Sequence, residues 1–203
     1  MAGMLIAIEG VDQSGKETQA RTLRARLEGD GKRVRSLSFP DYETPIGREI
    51  QMALAGERHF GPDVMQLLYI ANRYEHKPRL ELWLDAHDVV ICDRYRASSV
   101  AYGEAQGLDP RWLDDVQRDL PAPLITLLLD IAPETAVKRK ATGRDRFERD
   151  MELLARVRES YRRQARQRGW ALIDAEQPKD VVAKAVQRAV ESRLAPRSAR
   201  RRS

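Results

Sequence analysis

Apolar positions along the chain fall into two kinds of run: short continuous stretches, and longer stretches with helical spacing. Met4 to Glu9 is the first short run, and it leads directly into a glycine-rich turn. From Glu17 the spacing changes, with Ala20, Leu23 and Leu27 on one helical face and charged residues opposite, until Gly29 and Gly31 stop the helix. Val34 to Phe39 predicts a second strand ended by Pro40-Asp41, and Ile46 to Leu54 a short helix ending near Gly56. A long helical stretch is expected from Pro62 to Ala86, bent at Pro78. Val89 to Cys92 reads as a short all-apolar strand between two aspartates, with helical segments following around Ser98 to Gln106 and Pro110 to Leu120. Leu124 to Leu129 is almost continuously apolar, the mark of a strand covered on both faces. Pro133 opens a helix toward Ala141, and a densely charged segment, Arg144 to Asp150, precedes a helix to about Arg168. Trp170 to Ile173 is a last short strand, and Pro178 begins a closing helix. Strands separated by helices in this order predict an α/β fold, a three-layer sandwich with a mainly parallel central sheet.

Length and charge narrow the reading. With 203 residues the chain is long enough for one well-packed domain and short for two. The expected organisation is a domain over residues 1–192, a mobile charged lid at about 141–150, and a basic tail over 193–203. The net charge is +5, but Arg193, Arg197, Arg200, Arg201 and Arg202 supply five positive charges within that tail, leaving the remainder near neutrality. The sign is therefore a property of the tail, and no specific nucleic-acid partner is expected. The start lacks a basic segment followed by a long apolar run, and no window approaches the roughly 18 apolar residues of a membrane span. A cytoplasmic protein without a membrane partner is expected. Cys92, the single cysteine, excludes an intramolecular disulfide and any multi-cysteine metal site.

The turn after the first strand carries the chemistry. Gly10-Val11-Asp12-Gln13-Ser14-Gly15-Lys16 fills the first seven positions of the G-x-x-x-x-G-K-[ST] phosphate-binding motif, between an apolar strand and an amphipathic helix. Glycines let backbone amides converge on phosphate oxygens, the helix adds the field of its N-terminus, and Lys16 adds a positive charge near the β and γ phosphates. This points to a phosphoryl-transfer enzyme that holds a nucleoside triphosphate with Gly10 to Thr18. The eighth position holds Glu17, followed by Thr18, where a Ser or Thr hydroxyl on Mg²⁺ is expected. Two readings stand: Glu17 helps hold the metal directly or through water, or it faces away and other groups do so.

Asp93-Arg94-Tyr95 follows the third strand, at the carboxyl edge of the sheet where ligands of open parallel sheets bind. Asp93 is placed to hold metal-bound water or orient the attacking oxygen, and Arg94 to grip an acceptor phosphate. Tyr69 and Arg73 share a helical face, so ring and guanidinium can sandwich a planar ligand. Arg139, Lys140, Arg144, Arg146 and Arg149 fall within eleven residues, as in a lid that closes over a triphosphate and neutralises charge on the transferred group. His59, His76 and His87 are widely spaced and receive no catalytic or metal role.

Taken together these segments resemble the thymidylate kinases, ATP-dependent dTMP kinases. Glu9 to Lys16, Phe39-Pro40-Asp41, Leu67 to Glu75, Asp93 to Tyr102 and Arg144 to Glu148 stand in the family's order, and the likeness runs to about residue 190. The resemblance implies a P-loop nucleoside monophosphate kinase-like fold, ATP as donor, Mg²⁺ as cofactor, dTMP as acceptor and a homodimer. It gives Asp12 the sugar 3′-hydroxyl, Phe39 and Pro40 the acceptor wall, Tyr69 the stacking on thymine, and Arg73, beside Asn72, the base edge. Arg94 clasps the monophosphate with Asp93 on the magnesium side, Ser98 and Ser99 lie near the base, and Tyr102 fills the space beside C2′. One arrangement in the family has a basic residue in the P-loop, where Gln13 stands here; the other takes its catalytic arginines from the lid, so Arg144 and Arg146 are expected in that role. Tyr42 replaces an arginine that often follows the acidic residue after Phe-Pro, and the Asp174 to Lys179 loop contributes to the adenine pocket. Two other outcomes fit the sequence: a sister nucleoside or nucleoside monophosphate kinase, and a nucleotide-binding regulator without turnover, suggested by Glu17 and Tyr42.

Overall fold

Five parallel strands form the sheet, in the order β2-β3-β1-β4-β5. They are β1 (Met4–Glu9), β2 (Val34–Ser38), β3 (Val89–Asp93), β4 (Ile125–Asp130) and β5 (Ala171–Asp174). This computed structural model describes residues 3–139 and 147–194. Alternation along the strands builds two faces. Ile6, Ile8, Val89 and Ile91 pack into a core with Leu23 and Leu27 of α1 (Lys16–Gly29) and Val182, Val186 and Val190 of α9 (Lys179–Leu194). Leu5, Ala7, Val90 and Cys92 point the other way, into a cluster with Leu80 of α4 (Lys77–Asp85). The buried thiol of Cys92 belongs to that second cluster.

The remaining helices are α2 (Pro45–Leu54), α3 (Pro62–Glu75), α5 (Arg96–Ala105), α6 (Pro110–Asp115), α7 (Pro133–Arg139) and α8 (Phe147–Arg168). The stretch expected as one bent helix from Pro62 to Ala86 is two, separated at His76. Pro78 has no N–H for the carbonyl one turn back, so the first helix stops short of it. The segment after Pro110 is helical only to Asp115, and its continuation to Leu120 is a series of turns. At the other end α9 runs to Leu194, two residues past the expected limit of the domain.

Because β1 is central, with β3 on one side and β4 on the other, the chain leaves it at the point where strand order reverses. Ile8 lies level with Asp93 on β3 and with Leu127 on β4. The turns after β1 and β3 therefore emerge side by side, and the Arg94 amide donates to the Ile8 carbonyl at 2.9 Å. That pairing fixes the site. No helix among the described residues is long and apolar enough to cross a membrane.

Candidate active site

The turn after β1 is shaped by its glycines. A Cβ on Gly10 would lie 2.5 Å from the Leu129 carbonyl oxygen and 2.7 Å from Ser14 Oγ, at a φ of 147°. Gly15 (φ 91°) heads α1 and provides no side-chain cap, so the helix start is left to an anion. Gly10 and Val11 form the base of the turn, and residues Asp12 to Gln19 line a cavity of about 570 Å³ above it. Lys16 is buried, with Nζ donating to the Val11 carbonyl at 2.9 Å. Burial and, after it, the neighbouring Arg94 push the ammonium down to about 8, against the opposing pull of Asp93, Asp12 and Glu9.

Arg94 sits at a left-handed backbone position (φ 63°) directly after β3. Its Nη1 donates to the Gly10 carbonyl at 3.1 Å and to Ser98 Oγ at 3.4 Å, its Nη2 pairs with Asp12, and its guanidinium lies 5.5 Å from the Tyr102 ring centroid. Burial alone would lower its pKa, but Tyr102, Tyr161, Asp12 and Glu9 around it more than offset this and raise it.

Beneath Arg94 lies Glu9, fully buried at the end of β1. It accepts hydrogen bonds from the Tyr95 amide (2.8 Å), Ser98 Oγ (2.7 Å) and Tyr161 Oη (3.1 Å). The three donors make its burial affordable. Neither Glu9 nor Tyr161 stood out individually in the sequence. A carboxylate ending an otherwise apolar buried strand was the available signal for Glu9; Tyr161, far along α8, had none.

A second cavity, also about 570 Å³, opens on the other side of Arg94. Nine of the ten acceptor residues expected from the sequence, Asp12, Phe39, Pro40, Tyr69, Arg73, Arg94, Ser98, Ser99 and Tyr102, line it, and Tyr42 joins them. Arg73 is buried and donates from Nη1 to Ser99 Oγ at 2.7 Å, and burial lowers its pKa. Burial also pushes the Tyr69 hydroxyl up to about 12, so the ring enters the site neutral. Asp12, Phe39 and Arg94 line both cavities.

Asn72 departs from expectation. It lines neither cavity: fully buried, its side chain accepts from the Asp41 amide and donates to Asp41, Thr44 and Glu75. One residue away from Arg73 on α3, it faces the loop and not the cavity. Lys140, Arg144 and Arg146, expected in a lid, lie outside the described residues. From the segment before them, Arg139 reaches the P-loop beside Arg94, donating to the Gln13 carbonyl at 3.3 Å and to the Ala175 carbonyl at 3.1 Å. It lines the first cavity together with Gln177, Lys179 and Val182, at the loop expected to hold adenine.

The oxygen donors around that cavity suit a magnesium ion. Asp93, Glu17 and Thr18 line it, and Asp93 is raised by burial while Lys16 and Arg94 pull it down and Glu17 adds like charge. Glu17, exposed in the first turn of α1, is thus on the cavity wall with Asp93. Among the described residues no three carboxylate, histidine or cysteine groups cluster as a metal cage. Mg²⁺ keeps waters and borrows phosphate oxygens, so it does not require such a cage.

The parallel sheet, the P-loop on its central strand and two cavities meeting at one arginine define a P-loop kinase-like fold. A model of the thymidylate kinase family matches residues 8–186. The chain is 36% identical over 188 residues to the thymidylate kinase of Arabidopsis thaliana, covering 93% of this chain and 71% of that one. It is 32% identical over 181 residues to that of Dictyostelium discoideum, covering 89% and 81%. Among solved structures, thymidylate kinase from Candida albicans superposes with a TM-score of 0.79 at 28% identity, covering 95% and 93% of the two chains. The chain belongs to the thymidylate kinase family, and is a nucleotide-binding transferase.

Proposed function

We propose that this enzyme transfers the γ-phosphoryl group of ATP to dTMP, giving ADP and dTDP. The observation that carries the reading is Arg94, on the wall common to both cavities and paired there with Asp12. An acceptor phosphate in one cavity and a triphosphate in the other would meet at this guanidinium.

The chemistry asks little of a base. An oxygen of the acceptor phosphate, already anionic, attacks the γ-phosphorus in line; the new O–P bond forms as the bond to the β-phosphate oxygen breaks. What the chain supplies is alignment and positive charge. Lys16 and the α1 amides hold the β and γ phosphates, and Arg94 bridges the two phosphoryl groups. Arg139 stands at the donor side, and Arg144 and Arg146 are proposed to join it from the lid. Asp93 and Glu17 would hold Mg²⁺, which supplies further neutralisation of phosphate charge when bound. In the acceptor cavity Tyr69 stacks on thymine and Arg73 reads its edge. Tyr102, packed against Arg94, would fill the space beside C2′ and leave a 2′-hydroxyl no room, which disfavours ribonucleotides.

ADP release with dTMP, dUMP, thymidine, CMP and GMP as acceptors tests the reading. Fastest turnover with dTMP is expected. Preference for CMP or GMP would reassign the acceptor, and nucleotide binding without any ADP would make the chain a regulator. We further propose a homodimer, supported by the exposed apolar Val64 and Leu67 on α3 and tested by light scattering on the eluted protein. A cytosolic location, where ATP and the monophosphate meet, is proposed with it, and cell fractionation tests it.

A further inference from the structure

We propose that Asn72 and His76 are positioning residues for the acceptor site, acting on its wall through Asp41. The proposal rests on the reading of the Tyr69–Arg73 cavity as the acceptor site. Phe39, Pro40 and Tyr42 form one wall of that cavity, and Asp41 is the residue within this segment that faces away from it, toward the end of α3. There Asn72 grips it from two directions. Asn72 Oδ1 accepts the Asp41 amide at 2.8 Å, while Nδ2 donates to the Asp41 carbonyl at 3.1 Å and to Thr44 Oγ1 at 2.8 Å. Glu75 completes the grip, with one oxygen accepting from Asn72 Nδ2 (3.0 Å) and the other from the Ile46 amide (3.3 Å).

His76 stands against the Asp41 side chain. Its Nδ1 lies 2.6 Å from Arg79 Nη2, and since a guanidinium only donates, Nδ1 must accept. The single proton is therefore on Nε2, which lies 3.0 Å from Asp41 Oδ2, a close polar contact outside hydrogen-bond alignment. Burial, then Arg79, lowers the pKa of the imidazole against the pull of Asp41 and Glu75, which keeps this neutral form. The same ring meets Phe39 edge-on, with centroids 5.4 Å apart. Behind the loop there is no slack, because a Cβ on Gly47 would lie 1.8 Å from the Asp41 carbonyl oxygen.

The consequence follows from helix geometry. Residues 69 and 73 face the cavity, whereas 72, 75 and 76 face the loop, one step around the same helix. The spacing between the pair that holds the base (Tyr69, Arg73) and the opposite wall (Phe39, Tyr42) is thus set by Asn72 and His76. None of the clamp atoms needs to touch the substrate. Loss of the clamp should misplace the wall and weaken acceptor use, while the P-loop, on another element, keeps its hold on the donor.

The test compares steady-state constants of the full chain and of Asn72→Leu, His76→Leu and His76→Gln, with melting temperatures measured alongside. Asn72→Leu and His76→Leu are expected to raise KM for dTMP about tenfold, the scale on which small misplacements act, with KM for ATP little changed. His76→Gln keeps an acceptor toward Arg79 and a donor toward Asp41, and should restore most of the loss. A lower melting temperature with unchanged KM for dTMP would overturn the proposal and leave the clamp a purely structural feature. So would equal rises in both KM values, or a His76→Gln no better than His76→Leu. Should Asn72→Leu fail to fold, the His76 pair decides. Should the wild type prefer another acceptor, the functional reading fails separately, and the clamp is judged on KM for that acceptor.

Discussion

Raising the pH should weaken triphosphate binding through one group, Lys16. Its ammonium is buried, bonded to the Val11 carbonyl, and titrates near 8 in the free protein against an ordinary value of 10.5. A bound triphosphate surrounds it with negative charge and restores the charged form, so binding takes up a proton wherever the free enzyme has lost it. At pH 7.5 roughly three-quarters of the free enzyme carries the charge, and at pH 9.5 about one part in thirty. Apparent affinity should therefore fall roughly twentyfold across this window, about 1.8 kcal/mol. Calorimetric titration with a non-hydrolysable ATP analogue, in two buffers of different ionisation enthalpy, measures affinity and proton uptake together. Uptake should approach one proton at pH 9.5 and about a quarter of that at pH 7.5. Flat affinity with no uptake would refute the reasoning, since it would mean that the buried ammonium stays charged without a ligand. Stability carries the same linkage. The folded-state pKa lies below the unfolded one, so the penalty for burying the charged lysine is fully present below about 8 and is relieved as pH rises toward 10.5.

Other substitutions probe separate parts of the site. Arg73→Ala should lower kcat/KM for dTMP by about a hundredfold while leaving KM for ATP within a few-fold, because it removes the guanidinium held by Ser99 at the cavity wall; equal losses for every acceptor would argue against a base-reading role. Glu17→Ser should retain turnover and shift the Mg²⁺ midpoint, at a stability loss of about 0.5 kcal/mol for a first-turn acid on α1; complete inactivity would show that the glutamate itself is required. Gly10→Ala forces a methyl group to within 2.5 Å of a backbone carbonyl, and should cost about 3 kcal/mol in urea unfolding; a wild-type midpoint would show that the turn relaxes freely.

The fold was legible because its signals are local. Continuous apolar runs at β1, β3 and β4 and helical spacing in α1 specify element type without knowledge of partners, and the P-loop signature names its own surroundings. The cavity-lining pair Tyr69 and Arg73, at i and i+4 on α3, was readable for the same reason. What the sequence concealed depends on which way a side chain turns within a motif. Asn72 adjoins Arg73, and only the packing of α3 against the loop shows that it holds Asp41 while its neighbour lines the cavity. His76 has no spacing relative to other histidines, so its neighbours Asp41 and Arg79 became visible only in the structure, where it stands between α3 and α4. Tyr161 reaches Glu9 from 152 positions away, and no window of sequence contains both.

The pairing of Arg94 with Asp12 also explains how a crowded cationic site stays stable and yet ready for phosphate. Lys16 and Arg73 are buried on either side of the half-buried Arg94, whose positive charge lowers the pKa of both. Glu9 compensates permanently, being fully buried and saturated by three donors. Asp12 compensates reversibly. Its side chain is 66% exposed while that of Arg94 is 16% exposed, so the carboxylate can return to water at little cost whereas the guanidinium cannot. An incoming acceptor phosphate then replaces an exposed carboxylate at an arginine already held by Gly10 and Tyr102. The freed Asp12 is left at the boundary of the two cavities, where we propose that it receives the sugar 3′-hydroxyl. On this argument Asp12→Asn should tighten a free phosphate at Arg94, because a neutral amide competes less well for the guanidinium, and should at the same time slow turnover of the nucleotide.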